Sequence, residues 1–171
     1  ESEINENKDY LQSFIKKDER KVWSLILGGP TKYYDYSKKN MKHIFTMLDE
    51  LLKKHNFQLV VIPSMRTPIN TINYAREFFG DNHTVIMDVD KKAYLSALAI
   101  AENIIVTCDS SSMISEAALT GKPIYIANIL PKKNDKRFQR FHKLFRELNI
   151  TRNLGEEVKN WNYQKLDESN R

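Results

Sequence analysis

The sequence is short of cysteine, and this limits the sites it can form. A single cysteine in 171 residues excludes an internal disulfide and the metal sites built from CxxC pairs, and it suits a reducing compartment. No signal peptide is recognised, and no apolar run approaches the roughly 20 residues that a membrane-spanning helix requires. No G-x-G-x-x-G motif follows a strand-like run, which argues against a classical NAD site. We therefore predict a protein without a bound metal that is cytoplasmic or, as the alternative, associated with a membrane through a further domain.

Long runs of one charge are also absent. The net charge is only +5, and basic residues alternate with acids, as in Lys-Lys-Asp-Glu-Arg-Lys at 16–21. Dispersed charge of this kind does not indicate nucleic-acid binding, but it mildly favours a small anionic ligand. With 41% hydrophobic and 29% charged residues, and no repeat or low-complexity tract, the composition is typical of one soluble domain.

Apolar runs alternate with amphipathic stretches along most of the chain. The runs predict five strands, and the helices between them are expected to begin after the caps Ser37, Thr67 (with Pro68 at the first helical position) and Asn134; the strands are 22–27, 57–62, 83–87, 103–107 and 124–127. This alternation predicts a Rossmann-like, doubly wound parallel α/β sheet with strand order 3-2-1-4-5. Residues 1–20 are interpreted as a linker or trailing helix, 21–150 as the nucleotide-binding domain and 151–171 as a polar tail.

Residues 102–123 contain the most informative pattern, a buried strand followed by a polar elbow and a helix. The elbow is Asp109-Ser110-Ser111-Ser112-Met113, and the helix should begin at Ser111 or Ser112. A helix start carries unpaired N–H groups and partial positive charge, so it can hold an anion. Glu116 lies about one turn into the helix, where it could accept hydrogen bonds from ligand hydroxyls. The plainer alternative is a serine that only caps the helix, with Glu116 solvated.

Two other loops follow predicted strands and carry groups suited to phosphate. Gly28-Gly29-Pro30-Thr31-Lys32 follows the first strand, and its glycines would allow close backbone approach and an anion-binding nest. Arg66-Thr67 follows the second strand, where a guanidinium could bind phosphate in a bidentate manner. A plain turn and a solvated arginine are the alternatives.

Strands one and four are neighbours at the point where the predicted strand order reverses. Ligands of doubly wound sheets bind outside the carboxyl ends of such strands. The loops that follow these strands are the glycine loop and the elbow, so the sequence predicts a nucleotide or another phosphorylated ligand there. The tyrosines at 33, 34 and 36 are expected to be partly buried beneath the loop, His43 to be structural or exposed, and His142 to be solvated among basic neighbours.

Several stretches together resemble the ELM-type family, which takes in plant mitochondrial fission factors and bacterial proteins labelled predicted nucleoside-diphosphate-sugar epimerases. The resemblance covers about residues 20–168 and rests on the ordered segments LILGGPTKYY, SMRTP, IIVTCDSSSMISEAALTGKPIYI, KRFQRFHKLFRELNITRNLG and WNYQKLDES. It implies a GT-B-like protein of two Rossmann-type domains, of which this chain resembles the carboxyl-terminal one. The other domain would then lie before residue 1.

By the same resemblance, the site would bind a nucleoside diphosphate-sugar, with UDP favoured and no further cofactor required. The implied ligand residues are Gly28, Gly29, Thr31, Lys32, Arg66, Thr67, Asp109, Ser110, Ser111, Ser112, Met113 and Glu116. Glu116 would bind the ribose hydroxyls and Arg66 the phosphates. Met65 stands where the family pattern tends to show a second arginine, and Lys92-Ala93-Tyr94 replaces Asn-Pro-Tyr near the expected base pocket.

Two functional hypotheses follow. The first is the nucleotide-sugar domain of a glycosyltransferase or epimerase, with no catalytic residue identified in this chain. The second is a non-catalytic interaction module related to the fission factors, which would bind a protein partner or associate peripherally with a membrane. Gly28, Gly29, Arg66 and Glu116 together favour the first hypothesis, because a scaffold has no physical need for all four.

Overall fold

The computed structural model describes residues 2–155 and 157–166, which form a parallel sheet covered by helices. The six strands are β1 (Lys21–Ile26), β2 (Phe57–Ile62), β3 (Thr84–Val85), β4 (Asn103–Thr107), β5 (Ile124–Ala127) and β6 (Thr151–Asn153). The helices are α1 (Ser2–Glu6), α2 (Lys38–His55), α3 (Ile69–Phe79), α4 (Lys91–Ile100), α5 (Ser111–Ala117) and α6 (Lys136–Glu147). The strand order is β3-β2-β1-β4-β5-β6, which confirms the predicted order and adds a sixth strand.

The central strands are apolar throughout because both faces of the sheet are covered. Every residue of β4 and β5 is buried, as is typical of a parallel sheet between two helical layers. Some polar residues of the strands are bonded within the protein, whereas neither polar atom of the Asn103 side chain in β4 has a partner among the described residues. Ser24 donates to the Ala97 carbonyl, and the Gln58 amide bonds the Lys16 and Arg20 backbone. Each fully buried leucine or isoleucine contributes roughly 1.5–3 kcal/mol to folding.

Helices α2 and α3 pack together through aromatic rings, with Phe45 contacting Tyr74, Phe78 and Phe79. Helix α4 contacts β1 and β2. The Lys122 ammonium, which follows α5, donates to the Leu98 and Ala99 carbonyls at the end of α4. Burial of Lys122 lowers its pKa to about 8. The lysine thus satisfies carbonyls that the helix leaves unpaired.

Residues 2–20 pack more closely onto the domain than a linker would. Ile4 and Leu11 are buried in the same core as the strands, and α1 contacts α4. The Leu11 N–H donates to the Ser96 hydroxyl, and the Tyr10 hydroxyl donates to Asp90. The predicted boundary at residue 20 therefore does not mark the limit of the packed structure.

The segment after residue 150 also extends the fold beyond the predicted domain end. Strand β6 pairs in parallel with β5. The Trp161 ring is buried against Tyr125, and its indole N–H donates to the Asn149 carbonyl. The Tyr163 hydroxyl donates to the Lys122 carbonyl. The segment predicted as a polar tail therefore contributes a strand and a buried tryptophan to the fold; Glu156 and residues 167–171 of that tail lie outside the described residues.

Some predicted helix starts differ by a residue or two. Ser37 caps α2 as predicted, its hydroxyl accepting from the Asn40 N–H. Thr67 does not cap α3, which begins at Ile69 after Pro68 and has no side-chain cap. Asn134 accepts from the Lys136 N–H, but the residue preceding α6 is Asp135. Thr67 is instead used by the neighbouring loop.

Candidate functional site

The reversal of strand order lies between β1 and β4, which are paired with each other. The loops that follow β1, β2 and β4 meet at their carboxyl ends, and Asp109 lies at the centre of this meeting point. Its side chain is fully buried. Six of the predicted ligand residues belong to one hydrogen-bonded network around it, namely Gly28, Gly29, Arg66, Thr67, Asp109 and Ser110.

The Asp109 carboxylate accepts from four donors on three loops. The Gly29 N–H and the Arg66 guanidinium donate at 3.0 Å, and the Ser110 hydroxyl at 3.2 Å. The Tyr36 hydroxyl donates to the other carboxylate oxygen. Burial and the nearby Asp109 charge raise the pKa of Tyr36, so this hydroxyl stays protonated. A carboxylate this fully occupied positions the loops and has no exposed side-chain surface for a ligand; a part for Asp109 in ligand binding stays a prediction.

The glycines are required by contacts within the protein. A Cβ on Gly28 would lie 2.1 Å from the Ser110 hydroxyl, and a Cβ on Gly29 would lie 2.2 Å from the Arg66 carbonyl oxygen. Their N–H groups donate to the Thr107 hydroxyl and to Asp109. The predicted anion nest is therefore corrected: both amides already have partners, and close approach joins loop to loop. Proximity of a ligand diphosphate to this loop stays a prediction.

Arg66 is the cation that the network holds at the edge of the sheet. One guanidinium nitrogen donates to the Gly29 carbonyl at 3.2 Å, and another donates to Asp109 and to the Ser110 hydroxyl. Three of its five N–H donors are thus used within the protein. The side chain is still 48% exposed. The guanidinium is fixed in position and retains donors for an anion.

Thr67 connects the second loop to the first. Its hydroxyl lies 2.6 Å from the Gly28 carbonyl, to which it donates, and accepts from the Ser64 N–H at 2.9 Å. Thr67 is buried. It therefore stabilises the loop that carries Arg66, and the structure gives its side chain no path to a ligand.

Helix α5 begins at Ser111, within the predicted range. Ser110 precedes it without capping it, because its hydroxyl is directed to Asp109. No side chain caps the first N–H groups of the helix, so they remain suited to an anion. Ser112 is exposed, while Ser111 and Met113 are half-buried.

Glu116 is half-buried on the same helix and lies beside Tyr94 of α4. Burial, followed by the charge of Glu116, raises the pKa of Tyr94. A hydrogen bond between the buried Tyr94 hydroxyl and the Glu116 carboxylate also contributes to the raised pKa of Tyr94. Tyr94 thus orients a carboxylate whose remaining lone pairs can accept from ligand hydroxyls.

Thr31 and Lys32 lie apart from the network. The Thr31 hydroxyl accepts from the Tyr33 and Tyr34 N–H groups and closes a turn. Lys32 is exposed, and its ammonium lies over the Tyr33 ring. Both residues are brought towards α6, because Tyr33 and Tyr34 pack edge-on against Phe138.

Two network residues were missed or given a lesser role by sequence reasoning. The Thr107 hydroxyl accepts from the Gly28 N–H at 2.8 Å and lies 2.8 Å from the Tyr36 hydroxyl. Tyr36 is half-buried as expected, but its bond to Asp109 was not foreseen. A threonine ending an apolar strand and a tyrosine eight residues after Gly28 give no signal of pairing across more than 70 residues.

His142 is buried, contrary to the expected solvated position. Its Nε2 lies 2.8 Å from the Cys108 carbonyl oxygen. Burial lowers its pKa, so the ring is neutral and Nε2 donates to that carbonyl. The expected exposure of His43 agrees with the structure. Among the described residues there is no group of three or more potential metal ligands and no helix long and apolar enough to cross a membrane.

Sequence comparison places the chain in a family. The profile described as mitochondrial fission ELM1 matches residues 1–171. The chain belongs to the mitochondrial fission ELM1 family. It is 30% identical over 111 residues to mitochondrial fission protein ELM1 of Arabidopsis thaliana, covering 62% of this chain and 26% of that protein. It is 28% identical over 157 residues to an uncharacterised protein of Rickettsia prowazekii (strain Madrid E), covering 85% and 43%. The chain thus spans less than half the length of these two relatives of the ELM1 family.

Solved structures extend the likeness to the fold alone. A putative UDP-N-acetylglucosamine 2-epimerase from Listeria monocytogenes matches this ELM1-family chain with a TM-score of 0.55 and 15% identity, over 86% of this chain and 38% of that one. The Methanocaldococcus jannaschii UDP-GlcNAc 2-epimerase, solved in complex with UDP-GlcNAc and UDP, matches with a TM-score of 0.54 and 16% identity. The match covers 92% of this chain and 44% of that one. These neighbours are GT-B proteins, which confirms the predicted Rossmann-like, GT-B-type fold class.

Proposed function

We propose that this chain is the nucleotide-sugar-binding half of a two-domain, GT-B-like protein, with its ligand at the carboxyl ends of β1 and β4. The observation that carries the proposal is Arg66, a half-exposed guanidinium fixed at the reversal point with donors to spare. The UDP and UDP-GlcNAc named for the Methanocaldococcus epimerase of similar fold support a uridine diphosphate ligand.

Arg66 and the start of α5 would bind the diphosphate. The uncapped N–H groups of α5 and a guanidinium both favour negative charge. These groups would also stabilise a nucleoside diphosphate as it departs, because they are held in place before charge develops. No described residue is assigned as a general base, and a base would come from outside this chain.

Glu116 would bind the ribose. A carboxylate can accept from both vicinal hydroxyls, and the Tyr94 hydroxyl beside it orients the carboxylate. Lys92-Ala93 replaces the Asn-Pro of the family pattern on the same helix as Tyr94, near the expected base pocket. The titration below therefore compares four nucleobases, with uracil the favoured one.

The test is calorimetric titration of the 171-residue chain with UDP, GDP, ADP, CDP and their common sugars. Selective binding of one diphosphate is expected. Glu116→Ala should weaken it by about 1–3 kcal/mol, because ligand hydroxyls lose their acceptor, while the melting temperature is retained. Glu50→Ala, on the exposed side of α2, is the matched control and should bind as the unmodified chain does. Equal affinity in Glu116→Ala would exclude the ribose assignment.

Exposed apolar side chains favour the interaction module as the second candidate. Met65 and Ile69, which follow β2, are 90% and 73% exposed, and Leu130, which follows β5, is 85% exposed. Large exposed apolar side chains favour contact with a partner. Absence of nucleotide binding at millimolar concentration, in this chain and in a longer protein containing it, would favour this second candidate.

A further inference from the structure

A second concave region lies between α2 and α6, and none of the twelve predicted ligand residues lines it. The cleft has a volume of about 1150 Å³. Lys39 and His43 of α2 line one side, and Lys136, Arg140, Lys143 and Arg146 of α6 line the other. The spacing of four and three residues places each set on one face of its helix.

Four of these cations have no carboxylate partner among the described residues, namely Lys39, Lys136, Arg140 and Arg146. Lys143 lies 3.9 Å from Glu147. Asp135 is the one carboxylate that lines the cleft within residues 2–155 and 157–166. It is buried and accepts from the Tyr34 hydroxyl and the Gln139 amide, so its oxygens are already bonded. Unpaired like charges on one helix face repel each other, and a bound polyanion would remove that cost.

The orientation of α6 adds to the positive potential. Lys136 lies in its first turn, which contains no acidic residue. Helices usually carry acids there, because their N-terminal end has partial positive charge. The Asp135 carboxylate, which directly precedes the helix, offsets part of this dipole, and the remainder acts on a ligand with the same sign as Lys136.

The lining of the cleft also contains an unsatisfied buried nitrogen. His142 is 6% exposed and lines the cleft. Its Nε2 bonds the Cys108 carbonyl, whereas its Nδ1 has no partner within residues 2–155 and 157–166. A neutral ring bonded in this way offers an acceptor lone pair for a hydroxyl.

We propose that the cleft between α2 and α6 binds a ligand carrying two or more phosphate groups. Several unpaired cations call for several negative charges, and phosphate groups supply these compactly, each with oxygens that match the guanidinium fork. A concave cleft of this size suits a discrete phosphorylated molecule or headgroup better than a flat, evenly charged surface.

The test measures binding of inorganic tripolyphosphate to the 171-residue chain at about 150 mM salt, where attraction between charges more than about 8 Å apart is largely screened. The double variant Lys136→Glu/Arg140→Glu should weaken binding about tenfold or more. The double variant Arg137→Glu/Lys133→Glu is the matched control, because it makes the same charge change at exposed positions that do not line the cleft. Equal loss in both double variants, or no binding of the probe, would overturn the proposal.

Vesicles distinguish the source of the phosphate. Binding to phosphatidylcholine vesicles only when they contain a phosphatidylinositol bisphosphate, and loss of it in Lys136→Glu/Arg140→Glu, would identify a lipid headgroup. If the chain bound phosphatidylserine vesicles or a polyglutamate peptide as tightly as the bisphosphate vesicles, the binding would be non-specific attraction to anions. That result would overturn the proposal.

The proposal is independent of the nucleotide site. Glu116→Ala should leave tripolyphosphate binding unchanged, because Glu116 does not line the cleft. If Lys136→Glu/Arg140→Glu abolished nucleotide binding and Glu116→Ala did not, the cleft would be the nucleotide site and the separate site proposed here would be excluded.

Discussion

The Asp109 network and the cleft between α2 and α6 lie close along the chain, since Cys108 lines the cleft and Asp109 follows it, yet they treat charge in opposite ways. Around Asp109, one buried carboxylate satisfies donors from three loops. In the cleft, cations on two helices have few acidic partners. The buried Asp109 carboxylate therefore stabilises the structure, whereas the cations of the cleft are available to a ligand.

The largest effect should follow removal of the central charge. Asp109→Asn leaves the Arg66 guanidinium without its counter-charge. It also replaces one acceptor oxygen with an N–H₂ donor, which then faces other donors. We expect a loss of about 3 kcal/mol in the free energy of unfolding. Asp35→Asn, which breaks an exposed pair with Lys132, should cost less than about 1 kcal/mol. Urea denaturation of both variants measures this, and equal losses would contradict the structural role of Asp109.

A smaller loss should follow from filling the space at the first glycine. The added Cβ in Gly28→Ala would meet the Ser110 hydroxyl and the Asp109 carboxylate at 2.1 and 2.2 Å. We expect destabilisation of about 1–3 kcal/mol, because two packed loops must separate. Gly155→Ala is the control, since no atom of the described residues lies within 4 Å of a Cβ added at this position. Its stability should change by less than about 0.5 kcal/mol, and thermal unfolding compares the two.

His142 should make the stability of the folded chain depend on pH. Its pKa in the folded chain lies below 6.5, first because of burial and also because of Arg146, although its bond to the Cys108 carbonyl opposes this shift. Below pH 6.5 the unfolded chain therefore binds a proton that the folded chain does not, so stability falls as pH falls.

His142→Gln keeps an N–H donor for the Cys108 carbonyl but cannot titrate. The free energy of unfolding is measured against pH for the unmodified chain and for His142→Gln. The difference between the two curves is the contribution of His142, because the carboxylates titrate alike in both proteins. Parallel curves as the pH falls below 6.5 would show that His142 does not contribute.

The smallest effect should come from the cleft. Arg140→Gln removes an exposed cation that has no acidic partner among the described residues, so stability should change by less than about 0.5 kcal/mol or rise slightly. Chemical denaturation without added phosphate is the measurement. A loss approaching that of Asp109→Asn would mean that the cleft cations stabilise the fold, and the contrast between the two regions would disappear.

Local patterns were sufficient to predict five of the six strands, the order of those five and the reversal point. Apolar runs such as Asn103–Thr107 leave little choice of structure, and parallel connections restrict topology. The roles of Gly28 and Gly29 could not be deduced in this way, because a glycine needed for a ligand and one needed for a neighbouring loop look the same in sequence.

Long-range partners account for the other differences. Nothing near Asp109 indicates that Tyr36 and Arg66 will share its carboxylate, since these residues lie far from it in the chain. His142 stands among basic residues, and only the packing of α6 reveals that its ring bonds the end of β4. Strand β6 was missed because Thr-Arg-Asn is short and polar, and its pairing depends on an existing neighbour.

Strand β6 bears on how this domain avoids self-association. A chain ending at residue 150 would leave β5, Ile-Tyr-Ile-Ala, as an open edge with unpaired N–H and C=O groups. Short apolar edges of this kind recruit strands from other molecules. Strand β6 covers that edge and presents a polar, cationic sequence in its place, while Trp161 packs on Tyr125 and lies beneath Arg152. Shortened forms of this protein should therefore retain residues through at least Tyr163 if they are to remain monodisperse.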